Sequence, residues 1–126
     1  MSSRNGLTHA VLFSALVVGG AVLAYSASAA PSKGNAAAAK SIFASKCVAC
    51  HKADGTGGIK LTGNPTPNWK DPKVWADPKH NDDFLRDCIT NGKVKSGMVA
   101  WGKTGQLKPQ QIEDMIAYIN SIAKKK

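Results

Sequence analysis

Cys47-Val48-Ala49-Cys50-His51 is the stretch of this chain whose residue types and spacing specify a chemistry. Two thiols separated by two residues, with an imidazole directly after the second, meet the requirements of covalent haem attachment. Each thiol adds across one haem vinyl group, and the turn between them sets the His51 ring beneath the iron, where Nε2 can bond as the proximal ligand. Two other chemistries also use a CxxC pair. Zinc needs a second ligand pair at metal spacing, which Cys88 and His80 do not form. A thioredoxin-like redox site needs a βαβ frame around the motif, and no strand pattern lies near it. One CxxCH therefore implies one haem c, attached through Cys47 and Cys50.

The group opposite His51 decides between an electron carrier and a reactive haem. Met98 lies in Ser96-Gly97-Met98-Val99-Ala100-Trp101-Gly102, a loop methionine beside glycine that can offer a soft, neutral thioether to an iron. Gap filling in a core is the ordinary use of such a residue. Met115 sits on an apolar helical stripe, where core packing explains it. His80 stands just before a helix and reads as a surface histidine. An open sixth position is the remaining option. His51 with Met98 is the metal-ligand pair this reading selects.

The elements that must position these groups are helical. The run from Gly34 to Cys50 is rich in helix formers, and Ile42 and Phe43 fall on the face leading to Cys47 and Cys50. A first helix is expected from about Asn35 into the haem motif. Asp54-Gly55-Thr56-Gly57-Gly58 must be a loop, and Pro65, Pro67, Pro72 and Pro78 keep residues 59–79 largely irregular. A second helix should begin at Asn81 or Asp82, with Asp82 and Asp83 suited to its positive end, and stop at Asn91-Gly92. Phe84, Leu85, Cys88 and Ile89 form its apolar stripe, so Cys88 reads as a buried, inert thiol. Pro109 suits the first position of a last helix, whose buried face is Ile112, Met115, Ile116 and Ile119 with Tyr118 at its edge. The class is all-α, three main helices with long loops around one haem.

Haem attachment of this kind takes place outside the cytoplasm, and the N-terminus reads as an export signal. Arg4 and the free amine are followed by an uncharged apolar run from Ala10 to Ala24, and Ala27-Ser28-Ala29 fits the A-x-A cleavage rule. That run is shorter than the roughly 20 residues needed to cross a bilayer, which argues against an uncleaved anchor. Residues 1–29 are thus expected to be a secretory signal peptide and residues 30–126 a monohaem domain in the periplasm of a Gram-negative bacterium. Without Arg4 the domain has 16 basic residues against 8 acidic ones, a net charge of +8. Lysine makes up 15 of the 17 basic residues of the full chain. Mobile point charges of this kind suit transient docking to an acidic partner, although solubility alone would also use them. Export and the lack of a basic–aromatic module argue against nucleic acid.

The order of helix, CxxCH, glycine–proline loop, central helix, loop methionine and C-terminal helix resembles the small bacterial class I cytochromes c, over residues 35–123. Phe43, four residues before Cys47, matches the aromatic that this family packs against its last helix, and Tyr118 matches the aromatic on that helix. Thr66-Pro67-Asn68-Trp69 is similar to the family's GPNL stretch, whose proline carbonyl accepts the Nδ1–H of the proximal histidine. The resemblance makes Pro67 the candidate for that role, with Gly63 to Pro65 as the other option. Two positions depart from the pattern: Val99 replaces the proline that often follows the ligand methionine, and Trp69 replaces the usual leucine. The aromatic expected three residues after the methionine is present as Trp101.

What the resemblance implies is a monomeric one-electron carrier, not an enzyme, with His/Met ligation and no stable membrane insertion after signal cleavage. Its partners would be acidic redox proteins: a dehydrogenase, a bc-type complex, an oxidase or a peroxidase. Lys46, Lys52, Lys93, Lys95 and Lys103 are the expected docking ring. The competing readings are a haem enzyme or gas-binding cytochrome with a labile sixth ligand, and the acceptor subunit of a periplasmic dehydrogenase.

Overall fold

The computed structural model describes residues 31–123; the expected signal peptide and the last three lysines lie outside the described residues. Four α-helices follow in order: α1 (Ala36–Lys46), α2 (Val48–His51), α3 (Asp82–Asn91) and α4 (Pro109–Ile122). Two short 3-10 turns, Pro72–Trp75 and Val94–Ser96, punctuate the loops. The described residues hold no strand, only an isolated antiparallel bridge between Lys93 and Met98. None of their helices is long and apolar enough to cross a membrane.

Local chemistry sets the helix starts. Asn35 accepts the Ala37 N–H at 3.0 Å, and an alanine run with little side-chain entropy to lose follows. Asn81 accepts the Phe84 N–H at 3.0 Å, with Asp82 and Asp83 in the first turn where the helix end favours negative charge. Pro109 opens α4, and the Gln111 side chain returns to accept the Lys108 N–H at 2.9 Å. In one respect the structure differs from the sequence expectation. The first helix is distorted where it enters the motif: Cys47, at φ −118° and ψ −29°, separates α1 from the short α2 that carries Cys50 and His51, while its N–H still donates to the Phe43 carbonyl at 2.9 Å.

The core forms where α1 crosses α4. Ala39 is fully buried, which lets the two backbones approach, and Phe43 and Met115 are the largest side chains removed from water. Burying each of those two contributes about 1.5–3 kcal/mol. The Phe43 ring sits 4.9 Å from Tyr118 and 6.2 Å from Trp69, so one aromatic joins the helix crossing to the loop beyond the motif. Polar ties reinforce the frame. Asp114, buried on α4, accepts the Asn35 N–H at 2.8 Å and a Gln110 amide N–H at 3.1 Å, fastening the entry to α1. Arg86 on α3 donates to both carboxylate oxygens of Glu113 on α4, at 2.6 and 3.0 Å.

Candidate haem site

Three segments face a common space. The first is the α1–α2 junction with Cys47, Cys50 and His51. Both cysteines are unpaired and half-buried, and burial pushes the Cys47 thiol up to about 11. It is therefore a protonated thiol at neutral pH. Burial also lowers the His51 pKa to about 4, so its imidazole is neutral with a lone pair free to bind a metal. Nδ1 of His51 is buried without a hydrogen-bond partner among the described residues. A buried polar atom left so is costly unless a ligand or rotation supplies a partner.

The second segment is the loop from Asp54 to Trp69, folded back on the motif. Thr66 Oγ1 donates to the Cys50 carbonyl at 2.7 Å, and Gly57 N–H donates to the His51 carbonyl at 3.2 Å. Gly57 holds φ +56°, and a Cβ there would lie 2.2 Å from the Pro67 carbonyl oxygen. Only glycine allows that approach. Two residues on, Trp69 is buried, and its indole lies parallel to the His51 imidazole, 4.5 Å between centroids and 10° between planes.

The third segment carries Met98. The Lys93 N–H donates to the Met98 carbonyl and the Met98 N–H to the Lys93 carbonyl, both at 3.1 Å, closing a tight loop around the Val94–Ser96 turn. Gly102 N–H donates to the Ile89 carbonyl and Lys103 N–H to the Thr90 carbonyl, pinning the loop's far end to α3. The methionine is thereby held at the backbone while its side chain is half-buried.

Between these segments lie two adjoining cavities of about 220 and 150 Å³. Cys47, His51, Pro67, Lys93, Met98 and Trp101 line both, and Cys50 lines the outer one. The inner cavity runs into the core, where Phe43, Leu85 and Met115 close it, and Cys88 is on its wall as a buried thiol. Met115 thus meets this space as part of the core seam. His80 lines neither cavity; its Nδ1 lies 2.5 Å from the Val74 carbonyl oxygen and its ring packs 4.7 Å from Phe84.

Sequence reasoning missed the apolar mouth of this space. Leu61, Val94 and Val99 are exposed apolar side chains, and Leu61 and Val99 line the outer cavity. Leu61 comes from one loop and Val94 and Val99 from another, so no periodic pattern marks them. Lys46 holds its ammonium 4.9 Å from the Trp101 ring centroid, and Lys93 lies 5.3 Å from that of Phe84 while pairing with Asp87 at 3.3 Å. The Asp54–Gly58 glycine cluster was legible as a loop, but its function as the seat of Pro67 was not.

Two thiols, a neutral imidazole and a soft thioether around an apolar cavity suit a covalently held iron porphyrin. Residues 34–119 match the family described as cytochrome c oxidase, cbb3-type, subunit III. The chain is 38% identical over 91 residues to the cbb3-type cytochrome c oxidase subunit FixP of Bradyrhizobium sp. (strain ORS 278), covering 70% of this chain but 28% of that protein. It is 35% identical over 86 residues to cytochrome c6 of Rippkaea orientalis, covering 68% of this chain and 69% of the relative. With cytochrome c6 of Limnospira maxima it shares 33% over 94 residues, 73% of this chain and 98% of the relative. The chain belongs to this family: it is a small class I c-type cytochrome whose cofactor is a covalently bound haem.

Proposed function

We propose that this cytochrome is an exported one-electron carrier in which Cys47 and Cys50 hold the haem, His51 is the proximal ligand and Met98 the sixth. The observation that carries the reading is the shared cavity: His51 and Met98 come from separate segments of the chain and both line it, beside Cys47. Bound there, the haem supplies a one-electron Fe(III)/Fe(II) couple. The chain's own residues do the rest. His51, kept neutral by burial, offers its lone pair, and the Pro67 carbonyl, seated against Gly57, is the acceptor we assign to its Nδ1–H, which has no partner among the described residues. Met98 offers a neutral thioether, which favours the ferrous state. The apolar inner wall excludes water and disfavours added positive charge, with the same sign.

A reactive haem would need a distal acid–base group. Besides His51, the described residues contain His80 alone among histidines, and it lines neither cavity, held instead against the Val74 carbonyl and the Phe84 ring. That placement favours the carrier over a haem enzyme or gas-binding protein. Leu61 and Val99 at the cavity mouth, with Lys46 and Lys93 lining it and Lys95 tied through its carbonyl to Thr62 beside Leu61, give a docking surface of apolar centre and basic rim for an acidic redox partner. The FixP relative is named an oxidase subunit, which supports an oxidase among such partners. Residues 1–29 are the export signal in this reading.

The test is the visible spectrum of the exported protein, oxidised, reduced, and reduced under carbon monoxide. A low-spin spectrum with the weak red methionine-to-ferric band, unchanged by carbon monoxide, is expected. A high-spin ferric form that binds carbon monoxide at once would overturn the carrier reading.

A further inference from the structure

We propose that Trp69 tunes the proximal ligand, its indole setting the plane of the His51 imidazole and biasing the iron towards the ferric state. The proposal rests on His51 being that ligand, and it does not depend on what occupies the sixth position.

The stack is a built one. The Trp69 indole and the His51 imidazole are 4.5 Å apart and within 10° of parallel. Trp69 itself cannot drift: its N–H donates to the Gly55 carbonyl at 2.8 Å, and its carbonyl accepts Trp75 Nε1–H at 3.0 Å. Gly55 is buried against it, and a Cβ there would come within 3.0 Å of the indole Cε3. Phe43 packs on the core side of the same indole. Trp69 is therefore anchored by contacts independent of His51.

Two consequences follow. A fixed platform restricts rotation of the imidazole about its Cβ–Cγ bond, so the ring plane is set relative to anything bound at Nε2. The indole face is also electron-rich, and it attracts positive charge. An imidazole bound to a ferric centre carries more positive charge than one bound to a ferrous centre, so the stack favours the oxidised state. An aliphatic side chain of similar bulk keeps the burial but lacks the π face. Burial alone and stacking therefore make different predictions.

The experiment measures the midpoint potential and the ferric electron paramagnetic resonance anisotropy of the holoprotein in Trp69→Phe, Trp69→Leu and Trp69→Met. The aliphatic pair should raise the reduced-to-oxidised ratio at a fixed ambient potential by on the order of three- to tenfold, where tenfold is ~59 mV for one electron. They should also change the g anisotropy, while Trp69→Phe stays near the parent in both. Met, flexible enough to refill the volume, supplies the aliphatic comparison should Leu fail to fold. A shift that follows side-chain size, with Phe grouped with Leu and Met, would overturn the proposal, as would unchanged values in both aliphatic variants. The red methionine band, read in the same samples, reports the sixth ligand separately. Its absence in the parent protein would refute Met98 ligation and leave the Trp69 comparison intact.

Discussion

Replacing Gly57 with alanine asks whether the loop beyond the motif is seated as tightly as the structure shows. Gly57 holds φ +56°, and the added Cβ would sit 2.2 Å from the Pro67 carbonyl oxygen and 2.8 Å from that of Thr66. Ordinary contact begins near 3.4 Å, so the Pro67 carbonyl must retreat by about 1.2 Å. The left-handed backbone alone costs an alanine about 1–2 kcal/mol. Displacing packed backbone adds about 1–3 kcal/mol. Gly105 separates the two effects, because it holds φ +72° with nothing within 4 Å of its would-be Cβ. Gly105→Ala should therefore show the backbone cost alone, and Gly57→Ala about 1–3 kcal/mol more. Urea unfolding followed by far-ultraviolet circular dichroism measures both. For a domain of this size the difference corresponds to a melting temperature lower by roughly 4–8 °C per kcal/mol. Equal losses in the two variants would refute the close seating of Pro67 on Gly57. The same Gly57 variant should also shift the midpoint potential, because the proposed acceptor for His51 Nδ1–H has moved. A destabilised protein with an unchanged potential would remove Pro67 from that role and leave it a structural residue.

Lys52 holds φ 59° and ψ 157°, a conformation nearly restricted to glycine and costing about 1–3 kcal/mol. Lys52→Gly relieves that strain but loosens the unfolded chain, so a net gain of about 1 kcal/mol in unfolding free energy is expected; a loss would mean the lysine side chain matters more than the backbone. Asp114→Ala leaves the Asn35 N–H and the Gln110 amide without their acceptor and should cost about 1–3 kcal/mol, with faster amide hydrogen exchange at Asn35. Protection unchanged at Asn35 would show that α1 enters correctly without that tie. Lys95→Glu should slow electron transfer to an acidic partner about fivefold at low salt, the equivalent of ~1 kcal/mol of steering, and the effect should fade as salt rises. Rates that do not depend on salt would take Lys95 off the docking rim. Lys93 is the poorer probe, since it already pairs with Asp87 and packs over Phe84.

Short-range chemistry made much of this molecule readable before any fold was known. The five residues from Cys47 to His51 declare the cofactor because thioether attachment and proximal ligation need that spacing. Asn35, Asn81 and Pro109 announce helix starts because a cap acts within three residues. Ile112, Met115, Ile116 and Ile119 mark the buried face of α4 because helical periodicity is itself local, and all four are buried. The same stripe logic placed Cys88 inside, where it is.

What the chain folding alone decides are approaches between segments that no local pattern links. Asn35 and Asp114 are 79 residues apart, and Thr62 meets the Lys95 carbonyl from 33 residues away. The distortion at Cys47 falls between α1, buried through Ala39 and Phe43, and the short α2 that carries Cys50 and His51. Trp69 stood out in the sequence only as a departure from a leucine. Its stack on His51 exists because Gly55 admits the indole and Trp75 anchors its backbone. Residue types and spacing name the chemistry, because bonding demands are local. The cavity, its apolar mouth and the platform beneath the imidazole belong to tertiary structure, because packing brings together side chains whose separation along the chain carries no signal.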